Sequence, residues 1–284
     1  VRRVRNMADE VGQQRGRPLL LAARTPFTDK DARFIGLDLE KWLTEGLIDI
    51  LIPGGGTESE MTESFKGIVD LGHKYDVPVY PCIDYNFWSY WAFLDLGAEE
   101  HRTFASWVKT LYRGHPKDID KQCWIEAFNS WEGAAATWRG ATTNLWNAGA
   151  DGIYIFNGFH STDINRWREI GDPETMANKD KIFGVDQFAG DSSFKVVREL
   201  ELKEGEPVSV HFQVGEDVES GNAAELRFRL HFWDITNNDN IDVRLNNVPL
   251  KDLRPAGPPQ TRSEGRWLES RPKLTQVNRG ENRV

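Results

Sequence analysis

Cysteine is scarce. Cys82 and Cys123 are the only two in 284 residues, too few for a disulfide framework, and Cys82 lies in an apolar run where a small buried thiol is at home. The six histidines show no HExxH and no paired metal spacing, so no metal site and no cofactor is expected. No apolar run approaches the roughly 20 residues that a membrane-spanning helix needs. There is no sustained basic stripe, and a net charge of −9 makes nucleic acid and anionic membrane poor partners. The early arginines (Arg2, Arg3, Arg5, Arg15 and Arg17) read as the solvated face of a helix. No solenoid repeat and no low-complexity tract is visible. An initiator Met and a signal peptide are missing too, and the chain opens at Val1 in mid-pattern. At the other end "LTQVNRGENRV" reads as a strand, a turn and the first residue of another strand. Both ends are expected to be cuts in a longer chain. The compartment stays open, with a secreted or periplasmic place the expectation for the whole protein.

What is present is globular: 39% hydrophobic and 28% charged residues, enough for one large domain or a medium and a small one. Four apolar runs stand out, "PLLLAAR" (18–24), "IDILIPG" (48–54), "VPVYPCID" (77–84) and "DGIYIFN" (151–157). They are continuous rather than alternating, as strands covered on both faces should be. Helical patterns separate them: Leu39, Trp42 and Leu43 within 38–45; Met61, Phe65, Ile68, Val69 and Leu71 within 58–75; Trp131, Ala135, Trp138, Thr142 and Leu145 within 130–148. "EGLIDILI" and "AGADGIYIF" each end a helix at a glycine and resume as a strand. Strand–helix–strand order with short returns predicts a parallel sheet with right-handed crossovers. The first strands start about 30 residues apart, one β/α unit each, while the third and fourth are about 75 apart. That extra material follows a strand, so it belongs to the βα face, where barrel enzymes keep their sites.

Near residue 180 the pattern changes. "FKVVRELEL", "VSVHFQV", "LRFRLHFW" and "IDVRLNNVPL" alternate with period two, separated by turn residues at 204–205, 220–222 and 237–240. That pattern predicts antiparallel strands with one wet face, a β-sandwich or jelly roll. "RPAGPPQTRSEG" (254–265) reads as a loop or hairpin excursion within it.

Asp84 is the leading candidate for chemistry. A carboxylate closing a buried parallel strand emerges at the βα face, partly desolvated, where its pKa can be tuned for nucleophilic, base or acid work. Tyr85, Trp88 and Trp91 follow at once and could wall a groove for pyranose rings. The plainer reading has Asp84 capping the next helix or pairing with Arg24, with the aromatics as loop core. Arg24 ends the first strand and could bind a hydroxyl, hold a catalytic carboxylate in a bidentate bridge, or make a structural ion pair. Asn157 at the fourth strand end could bond sugar hydroxyls or merely turn the chain, and His160 follows in the loop. Glu126 and Glu132 are spare acids. "PGGGT" (53–57) lacks the lysine of a phosphate loop and reads as a tight turn leaving room for a substrate. "DITNNDN" (234–240) reads as an Asn/Asp turn before a calcium loop.

"RGRPLLLAARTP", "GLDLEKWLTEGLIDILIPGGG", "VPVYPCIDY" and "WNAGADGIYIFNGF" together resemble the C-terminal part of a group of bacterial glycosyl-hydrolase-like barrel proteins, related to family-10 glycosidases, over about residues 10–160. The resemblance implies an α/β fold, the second half of a (β/α)8 TIM barrel over residues 1–178, followed by an all-β, jelly-roll-like sandwich over 179–284, itself incomplete. Asp84 would end the seventh barrel strand and Asn157 the eighth. In related glycosidase clans one catalytic carboxylate commonly ends strand seven and its partner ends strand four. In this family an acidic segment resembling Glu-Leu-Asp then Arg marks strand four; here it would precede Val1, in a missing N-terminal barrel half. The insertion after Asn86 exceeds the family pattern. The expectation is a glycoside hydrolase acting on an oligo- or polysaccharide through paired carboxylates, inactive without its partner half. One rival is a non-catalytic glycan-binding protein; another is a barrel enzyme for a phosphorylated substrate.

Overall fold

The computed structural model describes residues 1–54, 65–84, 135–156, 164–183, 202–219, 223–232, 235–236, 238–255 and 266–284. Its first half alternates helices and short parallel strands. Helix α1 (Arg2–Arg15) ends at Gly16 in the left-handed region. Strand β1 (Ala22–Thr25) follows. The next two helices start at side-chain caps, as their sequences require. Thr28 accepts from the Asp31 N–H to open α2 (Asp29–Phe34), and Asp38 accepts from the Lys41 N–H to open α3 (Leu39–Thr44). Then come β2 (Ile50–Pro53), α4 (Lys66–His73) and β3 (Cys82–Asp84). Helix α5 (Ala135–Asn147), β4 (Tyr154–Phe156), α6 (Ile164–Ile170) and α7 (Pro173–Met176) complete this half. The helix–strand joints turn on Gly46 (φ 61°) and Gly149 (φ 94°), a conformation that glycine adopts without a Cβ penalty.

The strands form two parallel pairs, β1 with β2 and β3 with β4, and one isolated parallel bridge links the pairs in chain order. Ala22 pairs with Ile50 and Arg24 with Ile52. Leu51 bridges to Val79, and Cys82 pairs with Tyr154. The two pairs of strands join because the Leu51 N–H donates to Pro78 O (3.0 Å) and the Tyr80 N–H to Leu51 O (2.8 Å). One face of this sheet, with Ala23, Leu51, Val79, Ile83 and Ile155, packs under the helices against Ile68, Val69, Trp138 and Leu145. On the other face Ile52 and Cys82 are buried, while Ala22, Arg24 and Tyr154 are exposed.

Two expectations need correction here. The first strand begins at Ala22 rather than 18, because Pro18 has no N–H and the Leu21 N–H is taken by the Asp49 carboxylate (2.6 Å). Arg5 is not solvated: its side chain is 14% exposed, bridges to Asp49 (2.7 Å) and donates to Leu19 O.

Among the described residues beyond 202 every strand pairing is antiparallel. Strand β5 (His211–Val214) pairs with β11 (Gly280–Arg283). Strand β10 (Arg266–Ser270) lies between β6 (Phe228–Phe232) and β9 (Arg254–Pro255), while residues 256–265 of the expected loop or hairpin lie outside the described residues. Phe212, Val214, Val218, Val243, Leu245 and Leu250 make a second core. "IDVRLNNVPL" is a hairpin and not one strand. Asn246 (φ 50°) and Asn247 (φ 68°) form its turn between β7 (Arg244–Leu245) and β8 (Val248–Pro249), since two left-handed residues match the strand twist. In "LTQVNRGENRV" the strand follows the turn rather than preceding it. Leu274–Gln276 is a 3-10 turn, and the Asn282 side chain accepts from the Asn278 N–H and donates back to Asn278 O, closing the approach to β11.

Candidate functional site

In a parallel sheet the strand ends collect on one side, and here four C-terminal ends do so: Thr25, Pro53, Asp84 and Phe156. Arg24 and Phe156 come from the outermost of the four strands, yet the Arg24 guanidinium lies over the Phe156 ring, 4.2 Å from its centroid. A cation on an aromatic face contributes about 0.5–1 kcal/mol at an exposed position. Stacking leaves the in-plane N–H donors free for other oxygens. Asp84 is the register partner of Phe156, so the backbone of the leading acid lies beside this contact. The side chain of Asp84 lies outside the described residues and atoms, as do Tyr85, Trp88, Trp91, Asn157, His160, Glu126 and Glu132.

Of "PGGGT", Pro53 and Gly54 are among the described residues, and Gly54 has a packed role. It has φ 132°, its N–H donates to Thr25 O (2.9 Å), and a Cβ there would meet Cys82 O at 2.7 Å and Cys82 Cβ at 2.8 Å. This glycine closes β2 against β3, and residues 55–57, where the expected room for a substrate would lie, are outside the described residues. In "DITNNDN", Asp239 accepts from the N–H (2.5 Å) and hydroxyl (2.8 Å) of Thr236, which is a turn. These bonds lower its pKa. Among the described residues no group of three or more His, Cys, Asp or Glu side chains could hold a metal.

Phe156 is not among the residues expected from the sequence, although "YIFN" places it directly before Asn157. Aromatic residues at strand ends are ordinary core, and only the approach of Arg24 from another strand gives this one a role. A second feature was missed at the opposite end of the sheet. Asp49 and Asp151 each precede a strand and accept an N–H from the segment leading into the preceding strand: Leu21 to Asp49 (2.6 Å) and Val79 to Asp151 (2.8 Å). Each also meets a base from a preceding helix, Arg5 (2.7 Å) and His73 (2.8 Å) respectively. For Asp151, burial opposes ionisation, but the Val79 N–H and His73 outweigh it and hold the carboxyl below its ordinary pKa. These are fastenings at the N-terminal side of the parallel strands, opposite the ends that carry Arg24 and Phe156.

Comparison with protein-family models and with curated proteins finds no match to this chain.

Proposed function

We propose that the parallel unit is half of a (β/α)8 barrel and that the barrel acts on glycosidic bonds. The single observation that carries the reading is the convergence of Arg24, Phe156 and the Asp84 strand end at one end of the parallel sheet. Chain-order parallel pairing supports a barrel over a doubly wound sheet, in which the strand order reverses at the switch point where ligands bind. The second face of the sheet supports it as well. Exposed Arg24 and Tyr154 beside buried Ile52 and Cys82 suit the interior of a barrel near its mouth. Four further β/α units would complete the circle and bring the second carboxylate.

In this reading Asp84 is one of two carboxylates flanking the bond. The free edge of the Arg24 guanidinium donates to sugar hydroxyls, and Phe156 holds that guanidinium in place. Tyr85, Trp88, Trp91, Asn157 and His160 line the groove. The separation between Asp84 and its partner would decide between retention and inversion.

The test is hydrolysis of chromogenic oligosaccharides by protein that includes the complementary barrel half, wild type beside Asp84→Asn. The expected result is a rate loss of about 10²–10⁴-fold for the variant, with binding on a glycan array retained. Equal rates in the two proteins would remove Asp84 from the mechanism. Binding by both with hydrolysis by neither would leave a lectin-like groove.

A further inference from the structure

Helix α5 has two working faces. Trp138, Ala141 and Leu145 point into the core of the parallel unit. A second stripe at three- to four-residue spacing, Ala136, Gly140, Thr143, Asn144 and Asn147, meets the segment that leaves this unit and the antiparallel unit beyond it.

The contacts are specific along the whole stripe. The Ile182 N–H donates to Ala136 O (2.9 Å), and Gly140 lets the Ile182 carbonyl approach where any Cβ would collide with it. The next residue, Phe183, packs into the core of the antiparallel unit. One turn on, the Asn144 side chain donates to Gln213 O (3.0 Å) and accepts from the Gly215 N–H (2.6 Å). A primary amide offers the same donor and acceptor as a peptide group, so Asn144 takes the place of a neighbouring strand at the end of β5. Gly215 has no room for a side chain either, because a Cβ would collide with Thr143 O. Beside it Lys181, 7% exposed, pairs with Glu216 (2.7 Å) and donates to Met176 O (2.7 Å). Arg279 then donates to the Asn147 side chain (2.7 Å) at the end of the helix.

We propose that the antiparallel unit is a fixed buttress of α5, which folds and unfolds with the parallel unit as one cooperative body rather than hanging from it on a tether. A tethered module meets its neighbour through a polar, exchangeable surface. This junction instead uses two glycines without space for a methyl group, a side chain acting as a strand neighbour, and a buried lysine whose partner lies in the other unit. Since α5 runs through Gly149 into β4, the buttress also fixes the strand that carries Phe156. The inference does not depend on the hydrolase reading.

The experiment is hydrogen exchange by mass spectrometry across a urea series on the 284-residue chain. Peptides from 66–83 and 135–150 are compared with peptides from 211–218 and 241–250. In the wild type both sets are expected to lose protection at one midpoint. Gly215→Val is expected to lower that midpoint, with the antiparallel peptides opening first; a joint fall of both sets supports the coupling equally. If that variant does not fold, Asn144→Ala removes two hydrogen bonds without adding bulk, and the same fall is expected on a smaller scale. Two distinct midpoints in the wild type would overturn the proposal. So would an Asn144→Ala protein with unaltered midpoints.

Discussion

A guanidinium laid on a benzyl ring is held by its face and remains able to donate along its edge. Arg24 on Phe156 at 4.2 Å is so placed, at the end of the parallel sheet where Asp84 closes its strand. Arg24→Lys keeps the charge but loses the planar fork, so the glycosidase reading expects KM to rise about fivefold with little change in kcat, a loss of about 1 kcal/mol. An unchanged KM in steady-state assays of the completed barrel would show that Arg24 holds no substrate. Gly54 carries a prediction that concerns stability alone. A methyl group there meets Cys82 within 2.8 Å at a φ of 132°, so Gly54→Ala should cost about 2 kcal/mol, read from the urea midpoint. The sequence pointed to Arg24 and Asp84 because a charged residue ending an apolar run is conspicuous. It did not point to Phe156 or to the packed role of Gly54. Both depend on which strand lies alongside, which periodicity along one strand does not carry.

At the scale of elements, the paired aspartates explain how short strands are kept in register. Asp49 and Asp151 each accept an N–H from the approach to the neighbouring strand, Leu21 before β1 and Val79 before β3, so these backbone donors find partners outside the strand ladders. Asp151→Ala should cost about 1–2 kcal/mol, since it leaves the Val79 N–H without its acceptor. Glu169, between α6 and α5, behaves like Asp151. Burial opposes its charge, yet Arg139 and Lys179 outweigh this and lower its pKa. For both groups the folded pKa lies below the unfolded one. Their contribution is therefore present above about pH 4 and is lost as the pH falls through the depressed folded values. Urea midpoints measured from pH 7 downward should hold their contribution until about pH 4 and then fall, with a shallower fall in Glu169→Gln. The helix–strand joints at Gly46 and Gly149 were legible because a left-handed cap leaves a residue-type signature. The hairpin at Asn246–Asn247 was not, because strands of two residues carry no alternation to interrupt. The order of turn and strand before Val284 was obscured for a related reason, since the side chain of Asn282 does the turning from within the strand.

Over the whole molecule, the parallel strands pack helices on one face and leave Arg24 and Tyr154 exposed on the other. Val4, Met7, Leu20 and Phe34 add exposed apolar surface on the same unit. In the half-barrel reading the two open strand edges drive association, so light scattering on the 284-residue chain alone should give a mass above the monomer; a clean monomer would count against open edges. The described pairings are parallel up to Phe156 and antiparallel beyond residue 202, but the expectation of strands covered on both faces does not hold for β1 and β4, whose outer positions are exposed. The fastening of the second unit to α5 was not legible in the sequence, because Gly140, Asn144 and Gly215 are individually unremarkable and gain meaning only when they meet. A structure of the completed barrel with a bound oligosaccharide tests most directly the proposed use of the strand ends around Asp84. The account predicts a sugar ring at the C-terminal ends of β1–β4, with a hydroxyl on the Arg24 guanidinium and the glycosidic oxygen within hydrogen-bond reach of the Asp84 carboxyl. A sugar held only by the antiparallel unit, or Asp84 turned wholly into a helix cap, would contradict it.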